Sequence, residues 1–209
     1  MEHGKRILAI HGMAAIAAGL LLSVTLPRAF GADLTIGAAM PDFSLAGVDG
    51  KTVSSQDLAT KKAVVVVFTD HTCTYSQAYQ ERLIHLQQDY AAQGVQFVLI
   101  NPNIAPGETA AKLSEMKSRA ADMSYPFPYL ADPTQSAAHA FGATRTPEVF
   151  VFGPNRTLVY HGEIDDNTEA KMVRKTDLKT ALDAVVKGAP KEIEKPVTTV
   201  FGCSIKWTQ

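Results

Sequence analysis

The hydrophobic period changes twice near the middle of the chain. Residues 63–68 form an unbroken apolar run with four valines, the pattern of a strand that is buried on both faces. Residues 73–92 then place apolar and aromatic side chains every third or fourth position, which predicts an amphipathic helix that Gly94 ends. Residues 95–100 are again mostly apolar. A strand, a helix and a second buried strand predict a βαβ unit with parallel strands and a right-handed crossover.

Weaker patterns on both sides of this unit predict the other elements. Apolar and polar residues alternate around Asp49 and Gly50, which predicts an N-terminal β-hairpin. Further along, we expect a second helix near residues 113–123, a short strand at 127–130, a helix opened by Asp132 and Pro133 and ended by Gly142, a strand hairpin of residues 148–152 and 157–162, and a last helix capped by Thr176. This order predicts an α/β fold with a mixed central sheet and helices on both faces.

The two ends of the chain have their own patterns. Residues 1–31 combine a basic start, an apolar stretch and the small residues Ala29 and Gly31, which is typical of a secretory signal peptide. The alternative is an uncleaved membrane anchor, because the apolar stretch could just span a bilayer. Residues 32–189 then form one domain. Residues 190–209 lack periodicity but carry large apolar side chains, namely Val200, Phe201, Ile205 and Trp207, so we expect this extended tail to dock on the domain.

Composition and charge narrow the class of protein. The chain has 209 residues, of which 46% are hydrophobic and 20% charged, which is normal for one globular domain. A formal net charge of −1 argues against binding to nucleic acid by phosphate neutralisation. Export would place the domain in a periplasmic or secreted setting, where disulfides persist. The two cysteines of the chain therefore become the first candidates for chemistry.

Cys73 stands where the first strand of the βαβ unit leads into the helix. At a helix N-terminus its sulfur would face unpaired backbone N–H groups and the positive end of the helix dipole. That environment stabilises the thiolate, which is the reactive form. An inert structural cysteine is the alternative, but such cysteines usually lie within apolar faces, and Cys73 lies in a polar stretch.

Several stretches resemble the thioredoxin-like superfamily. Residues 67–76 are similar to its active-site segment, with Cys73 at the first cysteine of the C-x-x-C motif and Ser76 at the second. Arg145-Thr146-Pro147, followed by a predicted hairpin, resembles its cis-proline loop. Within the superfamily, the similarity is to the alkyl hydroperoxide reductase/thiol-specific antioxidant branch and its peroxiredoxin-like group. The stretches that carry this closer similarity are residues 41–43, 49–51, 125–130, 164–166 and 202–207.

The resemblance implies a thioredoxin-like fold and thiol-dependent oxidoreductase or antioxidant activity without a cofactor. Cys73 would be the redox nucleophile, and a thiol or disulfide protein or a peroxide would be its partner. Thr146 and Pro147 would form the opposite wall of a shallow groove, where the Pro147 peptide is cis and the backbone before it aligns with an extended substrate. A membrane would be involved only if the leader is uncleaved.

The chain also departs from the family patterns. In the register of the peroxiredoxin motif Pro-x-x-x-Thr-x-x-Cys, Val66 and Asp70 stand at the proline and threonine positions. With Ser76 at the second cysteine position, the motif cannot cycle as a dithiol. Cys203 in the tail is a candidate for the missing thiol, either bonded to Cys73 or resolving an intermediate on it. The alternative is a buried tail cysteine that never contacts Cys73.

Two further roles remain open at this stage. His71 could hydrogen-bond the thiolate or donate a proton, or it could be an exposed loop histidine. His71, Cys73 and His161 could also form a soft site for copper or zinc, although their spacing does not favour one, and we assign no metal ligand. A non-catalytic binding or copper-handling module of the same fold is therefore the alternative function. Rapid alkylation of Cys73 at pH 6 would favour the enzyme.

Overall fold

The structure is a computed structural model that describes Met1 and residues 34–208. The predicted leader therefore lies outside the described residues, apart from Met1. The strands are β1 Ser44–Gly47, β2 Thr52–Ser54, β3 Ala63–Phe68, β4 Val95–Asn101, β5 Tyr129–Ala131, β6 Arg145–Thr146, β7 Glu148–Phe152, β8 Leu158–Gly162 and β9 Cys203–Ser204. The α-helices are α1 Thr74–Ala91, α2 Thr109–Asp122, α3 Ser136–Phe141 and α4 Asp177–Val186, and short 3-10 turns lie at Gln56–Leu58, Ala170–Met172 and Pro190–Glu192.

A seven-stranded mixed sheet forms the centre of the domain, with the strand order β2-β1-β5-β4-β3-β7-β8. β3 and β4 pair in parallel from Ala63 opposite Val95 to Phe68 opposite Ile100, which confirms the predicted βαβ unit. β5 continues the parallel part, whereas β7 lies antiparallel to β3 and forms the predicted hairpin with β8. β1 and β2 form the N-terminal hairpin. The α/β prediction is confirmed.

Alternate side chains of β3 lie in two separate hydrophobic cores, one on each face of the sheet. Val65 and Val67 lie in a cluster with apolar side chains from α1, α2 and α4 on one face of the sheet. Val64, Val66 and Phe68 lie on the other face, in a cluster with α3 and the segment before β1. Every β3 side chain is fully buried, as expected for a strand covered on both sides.

The start of α3 differs from the prediction. The helix begins at Ser136 rather than at Pro133, because Gln135 has a left-handed backbone with φ of 57° and interrupts the helical path. Asp132 still serves the helix, since its carboxylate accepts a hydrogen bond from the Ala138 N–H at 2.9 Å. Thr176 occupies the N-cap position of α4, but its side chain makes no capping hydrogen bond.

The tail docks on the domain through fewer side chains than its composition suggested. β9 in the tail pairs antiparallel with β6 to form a second, two-stranded sheet. Ile205 is 5% exposed and joins the α3 core, whereas Phe201 is 62% exposed. Phe201 therefore does not anchor the tail, contrary to expectation. Trp207 remains 43% exposed and stacks on His139 with ring centroids 4.2 Å apart.

Candidate redox site

Cys73 and Cys203 are joined in a disulfide, with an Sγ–Sγ distance of 2.04 Å. Their Cα atoms lie 6.1 Å apart although the residues are 130 positions apart in the chain. The bond joins the start of α1 to β9 of the tail. Of the two arrangements left open for Cys203, the structure therefore contains the one in which it meets Cys73.

The start of α1 surrounds Cys73 with backbone groups of positive polarity. Cys73 is the N-cap of this 18-residue helix, and no side chain caps it. The N–H groups of the first turn point toward the N-terminal end and have no partners within the helix. No acidic residue lies in that turn. A thiolate on Cys73, released when the disulfide opens, is therefore electrostatically stabilised.

Thr146 and Pro147 form the opposite wall, and the peptide bond between them is cis. The carbonyl oxygen of Thr146 lies 3.2 Å from Sγ of Cys73. A disulfide sulfur has no proton, so this is a close contact in the oxidised protein. After reduction, the Cys73 thiol can donate a hydrogen bond to the same oxygen.

Gly202, just before Cys203, lies directly on this wall. A Cβ atom at Gly202 would stand 2.4 Å from the Thr146 carbonyl oxygen and 3.1 Å from the Pro147 nitrogen. Real side chains do not approach backbone so closely, and the neighbouring atoms are backbone that cannot swing away. Only glycine therefore lets the tail reach the disulfide along this path.

Asp70 organises the loop between β3 and α1. Its buried carboxylate accepts hydrogen bonds from the N–H and hydroxyl of Thr72, both at 2.8 Å. The other carboxylate oxygen accepts one from the Asn103 side-chain amide at 2.9 Å. The backbone oxygen of Asp70 accepts the Cys73 N–H at 3.0 Å. The residue at the motif's threonine position is thus occupied in shaping the loop.

Ser76 and His71 contact other groups than the cysteine sulfurs. The buried Ser76 hydroxyl accepts a hydrogen bond from the Asp70 N–H at 3.4 Å. Nε2 of His71 lies 3.2 Å from a Glu115 carboxylate oxygen, and Nδ1 lies 3.4 Å from the Tyr129 hydroxyl. In the oxidised protein neither ring nitrogen of His71 bonds to a cysteine sulfur, and the hydrogen bond to a Cys73 thiolate stays a prediction. Loop packing explains this, because both ring nitrogens already have partners on the α2 side.

Two partners of His71 have shifted pKa values. Burial raises the pKa of Tyr129 well above its ordinary value, so its hydroxyl stays protonated at neutral pH. Hydrogen bonds from Lys112 and then His71 lower the pKa of Glu115, so its carboxylate accepts hydrogen bonds from both side chains.

The soft metal site considered from the sequence is not assembled. Nε2 of His161 lies 2.7 Å from a Glu148 carboxylate oxygen. Across residues 34–208, no three side chains of His, Cys, Asp or Glu are grouped as metal ligands. Over the same residues, no helix has the length and hydropathy needed to cross a membrane.

Glu148 holds the backbone that leads into the Thr146 wall. The sequence analysis did not single out this residue. One oxygen of its buried carboxylate accepts the N–H groups of Thr144 and Arg145, at 2.7 and 2.9 Å. The other oxygen meets His161. The signal was available, because Glu148 is the one charged residue in an otherwise apolar strand and directly follows Pro147. A buried carboxylate in that place needs several donors.

Two side-chain amides, of the buried Gln135 and the half-buried Asn103, hold the tail beyond the disulfide, and both were also missed. The Gln135 side chain donates to the Lys206 carbonyl at 2.8 Å and accepts the Thr208 N–H at 2.8 Å. The Asn103 side-chain oxygen accepts the Lys206 N–H at 2.9 Å. Because Asn103 also donates to Asp70, one side chain connects the Cys73 loop to the tail. Cys203 is thereby held between the β6 pairing and this amide clamp, defined as Asn103 and Gln135.

Comparisons with known proteins agree with this fold. Two solved structures are each 34% identical to this chain. One is a hypothetical protein from Sinorhizobium meliloti 1021, with a TM-score of 0.76 over 87% of this chain and 99% of that chain. The other is an uncharacterized conserved protein from Geobacillus kaustophilus, with a TM-score of 0.77 over 88% of this chain and 97% of that chain. A thiol:disulfide interchange protein from Bacteroides sp. is 17% identical and shares the fold (TM-score 0.58, 78% and 96%). A search of curated proteins found no match.

The family comparison gives the assignment. The AhpC/TSA family model matches residues 36–161, a segment that contains the sheet, the Cys73 loop and the cis-proline wall. The resemblance noted in the sequence is confirmed, and the membership supports an oxidoreductase or antioxidant activity. The chain belongs to the AhpC/TSA family, within the thioredoxin-like superfamily.

Proposed function

We propose that the protein is an exported thiol–disulfide oxidoreductase that cycles between a Cys73/Cys203 dithiol and the Cys73–Cys203 disulfide. Cys73 is the nucleophile, and Cys203 is the resolving thiol. The single observation that carries the proposal is the bond between the two sulfurs at the start of α1. Ser76 lacks a thiol, and Cys203 supplies the second sulfur from the tail.

The cycle follows from ordinary thiol–disulfide exchange. The Cys73 thiolate attacks one sulfur of a partner disulfide, forms a mixed disulfide and releases the first partner thiolate. The Cys203 thiolate then attacks Sγ of Cys73, which forms the internal disulfide and releases the second partner thiolate. The partner gains two electrons and the protein loses two. Thr146 and Pro147 border the groove in which the partner's segment lies.

Disulfide exchange is favoured over peroxide reduction because of Asp70. A peroxidase of the family pattern would use a hydroxyl at this position, where this chain has a carboxylate that already accepts three hydrogen bonds. A carboxylate offers no proton to a peroxide oxygen at neutral pH. We therefore propose a protein thiol or disulfide as the partner, and a periplasmic or secreted location on the basis of the leader.

The test compares two single-cysteine variants with the wild type in reduction of a disulfide-bonded peptide, with dithiothreitol as the terminal reductant. Cys73→Ser is expected to abolish turnover. Cys203→Ser, reduced beforehand and then freed of dithiothreitol, is expected to complete the first attack and to accumulate a mixed disulfide on Cys73, visible as an added peptide mass. The control is the same assay with hydrogen peroxide, for which we expect the slower reaction. Full turnover by Cys73→Ser would refute the assignment of the nucleophile.

A further inference from the structure

The two cysteines of the disulfide differ in exposure. Cys73 is 4% exposed, and the Thr146 carbonyl oxygen lies 3.2 Å from its sulfur. Cys203 is partly exposed and is followed by the exposed Ser204. An incoming thiolate must reach one of these sulfurs, and the Thr146 carbonyl lies across the approach to the buried Cys73.

We propose that electrons enter the oxidised protein through Cys203. On this proposal, which rests on the proposed function, the reducing partner is a dithiol that attacks Sγ of Cys203, and Cys73 is the leaving group. The Cys203–Cys73 bond breaks as the bond between the partner sulfur and Cys203 forms. The electron pair of the broken bond stays on Cys73 as a thiolate. The second partner thiolate then attacks the partner sulfur of the mixed disulfide, which oxidises the partner and frees Cys203.

The electrostatics of the two cysteines favour the same direction. Exchange is faster when the departing sulfur is the better stabilised thiolate. Cys73 departs at the N-terminus of α1, with first-turn N–H groups and no acidic residue nearby in that turn. Cys203 lies in the two-residue strand β9 and has no helix end of its own. Accessibility and leaving-group stability therefore both select attack at Cys203.

The amide clamp lets this happen without release of the tail. Ile205 is buried, and Gln135 and Asn103 hold Lys206 and Thr208. None of these contacts involves the sulfur of Cys203. Opening the disulfide therefore leaves Cys203 close to Cys73, with the partner attached on the solvent side. The Cys73 thiolate stays beneath the mixed disulfide until the partner leaves.

The test uses oxidised wild-type protein and glutathione, a monothiol that remains bound as a mixed disulfide to the sulfur it attacks. Samples are quenched with excess N-ethylmaleimide at increasing times, and the peptides that contain Cys73 and Cys203 are analysed by mass spectrometry. Extrapolated to zero time, we expect glutathione on Cys203 and maleimide on Cys73, with an excess of about tenfold over the reverse pattern because access and leaving group act together. The glutathionylated Cys73→Ser and Cys203→Ser variants calibrate the signal of each peptide.

The outcomes separate this proposal from the proposed function. Glutathione mainly on Cys73 at zero time would overturn entry through Cys203 and leave the oxidoreductase cycle standing. A disulfide that neither glutathione nor dithiothreitol opens in the folded protein would overturn both. Equal labelling of the two cysteines at zero time would also overturn the proposal, since it would show that the difference in accessibility has no effect.

Discussion

The βαβ unit and the C-terminal tail are held to the same domain by different kinds of interaction. β3 and β4 pair over six successive residues, and every β3 side chain is fully buried between two apolar layers. The tail has a two-residue ladder, one covalent bond, two buried isoleucines and an amide clamp. A repeated apolar pattern therefore fixes the first region, whereas a few specific partners fix the second. One of those partners, the disulfide, depends on the redox state.

The largest expected effect is that of opening the disulfide. A bond across 130 positions restricts the unfolded chain, which in the chain-entropy description is worth about 5 kcal/mol. Urea unfolding with and without dithiothreitol measures the loss. The double variant Cys73→Ser/Cys203→Ser is the control and should show no response to the reductant. Identical midpoints for the wild type in both conditions would mean that the bond adds nothing to the free energy of unfolding.

A matched pair of tail substitutions gives the next largest effect. Ile205→Ala removes a buried side chain from the α3 core and should lower the free energy of unfolding by about 2–3 kcal/mol. Phe201→Ala removes a larger side chain that is exposed and should change it by less than about 0.5 kcal/mol. Urea titrations of both variants check the pair. A greater loss for Phe201→Ala would show that the tail docks by its apolar content rather than at one point.

The amide clamp should contribute less to stability but should affect kinetics. Gln135→Asn introduces a residue that tolerates the left-handed backbone at this position. The shorter asparagine side chain, however, cannot reach both Lys206 and Thr208. We expect a loss of about 1–2 kcal/mol and slower disulfide formation when the reduced protein is reoxidised. Gln93→Asn is the control, because Gln93 is exposed and its side chain donates only to the Asp89 carbonyl. Equal reoxidation rates for the two variants would argue against preorganisation of Cys203.

The same contrast explains which features the sequence could predict. The bounds of β3, α1 and β7 follow from periodicity and local end signals, and the structure agrees with them to within a residue. The pairing of β6 with β9 could not be predicted, since two-residue strands have no period. Other features depend on polar partners far apart in the chain. Glu148 bonds the backbone at residues 144–146, and Gln135 bonds the tail. The roles of these two side chains can be recognised only once the fold brings their hydrogen-bond partners next to them.

The smallest expected effect concerns Glu163, which follows β8 and whose N–H donates to the hydroxyl of Thr198 in the tail. Burial, followed by repulsion from Asp177, raises the pKa of Glu163 to about 7. Between its ordinary value and pH 7 the folded state therefore binds more protons than the unfolded state. Stability falls as the pH rises through this window.

The loss is on the order of 1 kcal/mol, because solvent screens this half-buried carboxyl. Glu163→Gln removes the titration, so its stability should be flatter between pH 5 and pH 7.5 and should exceed that of the wild type at the upper end. Urea unfolding at several pH values checks this prediction, and Glu169→Gln, which changes an exposed carboxyl, is the control. The prediction would fail if the wild-type free energy of unfolding rose between pH 5 and pH 7.5 and Glu163→Gln showed the same dependence on pH. The charge of Glu163 would then have no effect on the contact between the end of β8 and the tail.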